Sequence, residues 1–343
     1  VLNARDAAAR GAEINVRTKV VAAAAEGGLW QVTLEDVDSG ARLVVTARML
    51  VNAAGPWVGA VLAGTVHAAT QDKVRLVRGS HIVVPRLYDH DKCYFLQGTD
   101  GRIAFTIPYE GDFTLIGTTD ADHPDPDIRP HCTEAERDYL IGFVNRYFRR
   151  QITAADVVWS YSGVRPLYDD GASSATAATR DYVLKLERVG GAPLLNVFGG
   201  KITTYRRLAE AALRKIATVF PGLPGAWTAG VALPGGDFPH DGVETLVAAL
   251  RTDYPFLSER WARRLVRAYG TEARAVLGDA TTAADLGEDF GATLTAREVD
   301  WLVAHEYARR PEDILWRRGK LGLRLQPEAV ARLAERLKAQ APA

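Results

Sequence analysis

The sequence predicts a mixed fold, α/β and α+β over its first two thirds and helical after that, and three observations predict it. From Val74 to about Leu186, segments such as "SHIVVP", "CYFLQ", "RIAFTIPY", "FTLIGTT" and "DYVLKLE" lie between turns rich in Gly, Asp and Pro, the texture of an antiparallel sheet. The apolar run "APLLNVF" passes into Gly199 and Gly200 and then into the helical pattern "TTYRRLAEAALRKIATVF", the strand, turn and helix unit of α/β proteins. Beyond Pro221 the pattern changes to short amphipathic helices, after a linker rich in Gly and Pro that puts a domain boundary near residue 225.

In chain order, "LNARDAAARGA" reads as a helix ending at Gly11, and "EINVRTKVV" as a strand. "GLWQVTLEDV", the turn "DSGA" and "RLVVTARMLVNAAG" follow as further strands, the middle pair forming a hairpin. A strand that finishes in Ala53, Ala54 and Gly55 lets something large approach its backbone. One helix interrupts the β-rich stretch, "TEAERDYLIGFVNRYF", with Thr133 as its cap, Glu136 closing a capping box, and Tyr139, Leu140, Phe143, Val144 and Tyr147 on one face. In the helix after Gly200, Leu208, Ala212 and Ile216 form one stripe, and "DLGEDFG" near the end reads as a turn between helices.

Composition excludes several function classes. The 343 residues carry 42 basic and 42 acidic side chains, so no global field exists to hold nucleic acid, and any anion has to be bound locally. Cys93 and Cys132 stand far apart without a CxxC, which argues against a disulfide framework or a zinc site and for two buried fillers. No GxSxG, HExxH or paired CxxC gives hydrolase or metal chemistry a foothold. No apolar run is long enough to span a membrane, so the expectation is a cytoplasmic protein. The basic stretches "WARRLVR" and "LWRRGKLGLR" are either amphipathic faces for a peripheral membrane contact or ordinary solvated helix faces. The chain opens on Val1, inside what reads as the middle of a helix, as a C-terminal portion of something longer would.

Candidate site residues come from three motifs. "NVFGGKITTYR" is not a triphosphate loop, because the positions that need Gly and Ser or Thr hold Leu195 and Ile202. It is either a helix start capped by Thr203 or Thr204, or a turn whose N–H groups and lysine meet an anion or a ring. In "YSGVRPLYDD", Pro166 holds Arg165 extended, fit to clamp a phosphate or carboxylate, with Asp169 or Asp170 as the alternative partner. Arg180 has the same two readings, with Asp181 beside it. His81 in "RGSHIVVP" is either a general base or a satisfied edge histidine.

Taken together, "LVNAAGPWV", "RLVRGSHIVVP", "IGTTD", "WSYSGVRPLYDD", "TRDYVLKL", "PLLNVFGGKITTYRRLAE", "LPGG", "DLGEDFG" and "HEYARRPEDILWRR" resemble the FAD-dependent, membrane-associated glycerol-3-phosphate dehydrogenases of aerobic metabolism and the related oxidases. The resemblance implies a D-amino-acid-oxidase-like flavoprotein: a partial FAD-binding domain in residues 1–73 and 190–222, a β-rich substrate-binding domain in 74–189, and a helical domain in 223–343. The family's GxGxxG fingerprint is absent, which implies about 140 to 160 further residues upstream. Ala53, Ala54, Gly55 and Trp57 would pass beside FAD. Gly199, Gly200, Lys201, Ile202 and Thr203 would face the flavin edge, where positive charge stabilises the reduced ring.

By the same resemblance Arg165, Arg180 and His81 would bind sn-glycerol 3-phosphate. His81 would act as base, with Arg165 or Lys201 as electrostatic helpers, while the C2 hydride moves to the flavin and dihydroxyacetone phosphate forms. A quinone at the inner face of the cell membrane would take the electrons, oxygen being the alternative in an oxidase. A non-catalytic interaction module is the rival from another class. The oligomeric state stays open, a homodimer being one arrangement.

Overall fold

The computed structural model describes residues 1–68, 73–169 and 181–340. It divides into two compact units, Arg17–Ala229 and, separately, Val1–Val16 with Gly230–Ala343.

In the first unit, strands β1 (Thr18–Glu26), β2 (Leu29–Asp36) and β3 (Arg42–Ala47) make an antiparallel sheet. The chain breaks after Ala47, and β4 (Leu50–Asn52) joins a different sheet, so "RLVVTARMLVN" is two strands. A 3₁₀ turn (Gly55–Trp57), one helical turn, α2 (Val58–Ala60), and a π-helical segment (Val61–Val66) follow. Strand β5 (Val74–Pro85) is the longest strand and an interior one of the largest sheet, which adds β6 (Tyr94–Gln97), β7 (Ile103–Tyr109), β8 (Phe113–Gly117), the short β9 (Ala121–Asp122) and β10 (Trp159–Tyr168). Its order is β10-β5-β8-β7-β6, antiparallel throughout, with β9 also pairing with β5.

Helix α3 (Glu134–Asn145) lies between β9 and β10 in sequence and covers one face of this sheet. Its predicted capping box is present: Glu136 N–H donates to Thr133 Oγ1 (3.2 Å), and the Glu136 carboxylate accepts from Thr133 N–H (3.0 Å). Leu140, Phe143 and Val144 pack with Ile82, Val84 and Ile116, all at most 1% exposed. Tyr147, expected on the same apolar face, is half exposed and bonds the Gln97 carbonyl.

Strands β11 (Tyr182–Val189) and β12 (Ala192–Gly199) form a hairpin, and β12 runs parallel to β4 in the order β11-β12-β4. Thus β11 belongs with the parallel pair rather than with the large sheet. Trp30, Val32, Leu62, Leu194 and Phe198 form the core beneath, and Trp30 Nε1 donates to the Pro193 carbonyl (2.8 Å). A 3₁₀ turn (Ile202–Thr204) then leads into α4 (Tyr205–Ala217).

The second unit is helical. It contains α1 (Leu2–Ala9), α5 (Val243–Asp253), α6 (Glu259–Tyr269), α7 (Ala273–Leu277), α8 (Ala296–His305) and α9 (Pro327–Ala339) around Leu250, Leu265, Phe290, Val299 and Leu333. Residues 1–16, expected in the FAD-binding part, belong to this unit, where Arg5 makes two bonds to Glu272 (2.7 and 2.8 Å). "DLGEDFG" is not a plain turn, since β13 (Asp289–Gly291) pairs with β14 (Leu294–Thr295). Cys93 is exposed and Cys132 only part-buried, so neither is the buried filler expected. Among the described residues no helix is long and apolar enough to cross a membrane.

Candidate active site

Strand pairing in the large sheet puts one row of side chains across five strands. Tyr161 lies opposite His81, His81 opposite Gly117, Gly117 opposite Phe105, and Phe105 opposite Phe95. Directly opposed residues share a face. The row is therefore on the face away from α3, because Ile82 and Ile116, next in sequence to His81 and Gly117, point into the α3 core.

His81 sits in the middle of a central strand, not at an edge. Its ring stacks on Tyr161 with centroids 4.9 Å apart and planes 2° from parallel, and Trp159 continues the stack at 5.0 Å. Gly117 makes room for the imidazole, since a Cβ there would lie 2.6 Å from Nε2 and 2.7 Å from Cγ. Nδ1 is buried without a partner. Burial, aided by the nearby charge of Arg165, lowers the His81 pKa to about 4, so the ring is neutral at pH 7.

Arg165 reaches this face from β10, two same-face pairs beyond Tyr161, where it lies opposite Val77. Its guanidinium lies over Gly79, where a Cβ would be 2.6 Å from one terminal nitrogen and 2.8 Å from the other. One nitrogen bonds Asp120 Oδ1 (2.6 Å) and the other Thr118 Oγ1 (3.3 Å). The carboxylate partner seen for Arg165 among the described residues is Asp120, which the strand order brings from just past the end of β8. Arg180 and Asp170 lie outside the described residues.

The face is held from behind. Glu136 accepts from Ser80 Oγ (3.0 Å), Thr119 Oγ1 (2.8 Å) and Arg78 (2.9 Å), and Ser80 Oγ also meets Ser162 Oγ (2.7 Å). Burial works to raise the Glu136 pKa, but bonds from Thr133, Thr119 and Ser80 outweigh it and hold the group at about 2. Ser80 precedes His81 and Thr119 precedes Asp120, so one carboxylate fixes the backbone under both.

The second part of the candidate site is at the carboxyl ends of the parallel strands β4 and β12. Asn52 and Asn196 lie opposite each other, and Asn52 Nδ2 donates to Asn196 Oδ1 (3.1 Å) and to the Val58 carbonyl (3.0 Å). This aligns the turn Ala53, Ala54, Gly55, Trp57 with the turn Gly199, Gly200, Lys201. Gly55, Gly199 and Gly200 have φ of +57°, +68° and +104°, values at which a side chain is strained. Trp57 is half exposed and donates from Nε1 to Asp127 (2.7 Å).

No side chain caps the turn at Ile202 or the start of α4. Thr204 Oγ1 instead donates to the Lys201 carbonyl (3.1 Å), so the threonine cap is not formed. Lys201, Ile202 and Thr203 are exposed, Ile202 by 85%. Ligands of open α/β sheets bind beyond the carboxyl ends of parallel strands, near helix starts. Two glycine turns side by side, with uncapped N–H groups, fit the ring end of a dinucleotide cofactor. A pyrophosphate loop of the GxGxxG kind is not in this sequence.

Sequence reasoning singled out His81, Arg165 and both turns as candidates, and did not single out Asp120, Thr118, Tyr161, Gly79 or Gly117, which the structure places beside His81 and Arg165. A signal for the glycines was present, because a glycine inside a strand marks a close approach, and "RGSH" and "LIGTT" each carry one. Asp120 had no such signal, since its closeness to Arg165 depends on strand order. Among the described residues no cluster of His, Cys, Asp and Glu is arranged to hold a metal ion.

Comparison with known proteins agrees with this geometry. Residues 1–206 match the family model described as FAD dependent oxidoreductase, and residues 226–341 match the C-terminal domain of alpha-glycerophosphate oxidase. The chain is 44% identical over 334 residues to the aerobic glycerol-3-phosphate dehydrogenase of Escherichia coli K12, which covers 97% of this chain and 66% of that protein. It is also 44% identical over 324 residues to the D-erythritol 1-phosphate dehydrogenase of Brucella abortus, covering 94% of this chain and 64% of the relative. The chain thus spans just under two thirds of the length of these curated relatives. The crystal structure of the glycerol-3-phosphate dehydrogenase from Bacillus halodurans complexed with FAD has the same fold, with a TM-score of 0.80 at 24% identity over 98% of this chain and 70% of that one. By these matches the chain belongs to the FAD-dependent glycerol-3-phosphate dehydrogenase family, with a D-amino-acid-oxidase-like fold and a helical C-terminal domain.

Proposed function

We propose that this chain supplies the substrate side and the flavin-ring side of an enzyme that oxidises sn-glycerol 3-phosphate to dihydroxyacetone phosphate. The observation that carries the reading is the pairing of a neutral histidine and a seated arginine on one open sheet face. Arg165 holds the phosphate through parallel N–H bonds and so fixes the position of C2. His81 takes the C2 hydroxyl proton. With Nδ1 buried, Nε2 is the nitrogen left to do so, and the ring is unprotonated at neutral pH. Arg180 is proposed as a second phosphate contact.

Ala53, Ala54, Gly55 and Trp57 hold one side of FAD in this reading, and Gly199, Gly200, Lys201, Ile202 and Thr203 the other. When bound, FAD supplies the acceptor for the hydride that leaves C2. Lys201 and the uncapped N–H groups put positive charge at the edge of that site, an electrostatic role that needs no proton transfer. Electrons pass onward to a quinone at the inner face of the cell membrane. The three-part division of the chain is retained with residues 1–16 moved to the helical part and β11 to the FAD-binding part.

The test is Arg165→Ala in the FAD-loaded full-length protein, where kcat/KM for glycerol 3-phosphate should fall about 100-fold or more, the usual scale for losing a substrate clamp. An unchanged kcat/KM would sink the assigned role. A quinone or dye assay run beside peroxide detection separates dehydrogenase from oxidase. The 44% identity to the Brucella abortus enzyme favours one second reading, D-erythritol 1-phosphate as substrate, and the ratio of kcat/KM for the two phosphates decides it.

A further inference from the structure

Arg165 does not present its full charge to a ligand. Asp120 Oδ1 lies 2.6 Å from one terminal nitrogen, and Thr118 Oγ1 accepts from the other at 3.3 Å. Both come from the segment Thr118–Asp120, and that segment is itself pinned. Thr119 N–H donates to the Ser80 carbonyl (3.3 Å), its hydroxyl donates to Glu136 (2.8 Å), and Ser80 N–H donates back to that hydroxyl (3.0 Å). Asp120 is thus delivered to the guanidinium by a rigid backbone. The pair is still open to a ligand, because the two side chains remain 33% and 37% exposed.

We propose that Asp120 is an internal competitor for Arg165, a carboxylate that any incoming phosphate has to displace. This inference rests on the reading of Arg165 as the phosphate clamp. An anion binds only the fraction of molecules in which the guanidinium has let go of Asp120, so every phosphate loses affinity by the same factor. A partly exposed ion pair sets that factor at about fivefold. The advantage lies in turnover: when product leaves, Asp120 closes over the bare arginine and opposes rebinding. The opposite role, an orienting tether that aims Arg165 at the substrate, predicts the opposite sign, which makes the choice testable.

The experiment is a calorimetric titration of the FAD-loaded full-length protein with sn-glycerol 3-phosphate and, separately, with inorganic phosphate. Wild type, Asp120→Asn, Asp120→Glu and Arg165→Ala are compared. Expected is a Kd about fivefold lower in Asp120→Asn for both ligands, returned toward wild type in Asp120→Glu. Weaker binding in Asp120→Asn, or no change, overturns the proposal while leaving the clamp intact. Binding that survives Arg165→Ala unchanged overturns the clamp and the competitor together. In turnover, the competitor role further expects a lower KM for Asp120→Asn, whereas loss of orientation would lower kcat.

Discussion

The two faces of the large sheet are built by the same strands and do opposite things. Behind, Ile82, Val84 and Ile116 close against Leu140, Phe143 and Val144 with almost no exposure, and the polar groups that enter, Ser80, Thr119 and Arg78, all converge on Glu136. In front, glycine replaces apolar bulk at Gly79 and Gly117, the Arg165 guanidinium and the His81 and Tyr161 rings lie in the space, and Phe95 and Phe105 stay open to solvent. Because the side-chain period of a strand is two, stability and ligand chemistry can be set at neighbouring positions without sharing a residue.

The sharpest way to break that comparison is a pair of adjacent substitutions in β8. Ile116→Ala, on the sealed face, should cost about 3–4 kcal/mol of unfolding free energy as a core cavity. Its effect on KM should be small at a temperature where the protein remains folded. Gly117→Ala, one residue on, should leave most of the stability but drive a methyl into the His81 imidazole, and kcat/KM should fall about 100-fold. Chemical denaturation and steady-state kinetics on both variants check this. If Gly117→Ala is fully active, the imidazole seat is not part of the site.

How much of this was legible follows from the same pleat. Capping chemistry is local, so Thr133 and Glu136 announced the start of α3. The glycine turns at Gly55 and Gly199 were visible because they interrupt apolar strands. That Asp120 meets Arg165 could not be read, since 45 residues separate them and only the order β10-β5-β8 joins them. The second job of Glu136, holding Ser80 and Thr119 across the sheet, was hidden for the same reason. The split of "RLVVTARMLVN" between two sheets was missed because an apolar run carries no mark of which partner each half will find.

Glu136 gives the next test, since it belongs to the sealed face but steadies the open one. Glu136→Ala should cost about 2–3 kcal/mol, because it removes a cap and leaves Arg78 without its carboxylate partner in a largely buried place. Its activity loss should appear in kcat and KM together, as the backbone beneath His81 and Asp120 loosens. A stability loss with wild-type kinetics would separate the faces more completely than the hydrogen bonds imply. With the carboxyl held at about 2 against an ordinary 4.5, its stabilising contribution is present above pH 4.5 and is lost as pH falls from there toward 2.

His81 titrates in a different window, and this separates the open face from the sealed one. The unfolded imidazole takes up a proton near pH 6.5, the folded one only near 4, so acid favours the unfolded state. The contribution is neutral above 6.5 and becomes destabilising as pH falls from 6.5 to 4, reaching about 1–2 kcal/mol by pH 5 after allowance for partial solvent access. His81→Gln cannot take up that proton. The difference in unfolding free energy between wild type and His81→Gln should therefore shift in favour of the variant between pH 6.5 and 5, then level off below pH 4, where both wild-type states are protonated. A difference that stays constant over that range would mean that Arg165 and burial do not disfavour the imidazolium. The argument for His81 as a base that is free at neutral pH would then lose its electrostatic footing, while the sealed face and its Glu136 network would stand unchanged.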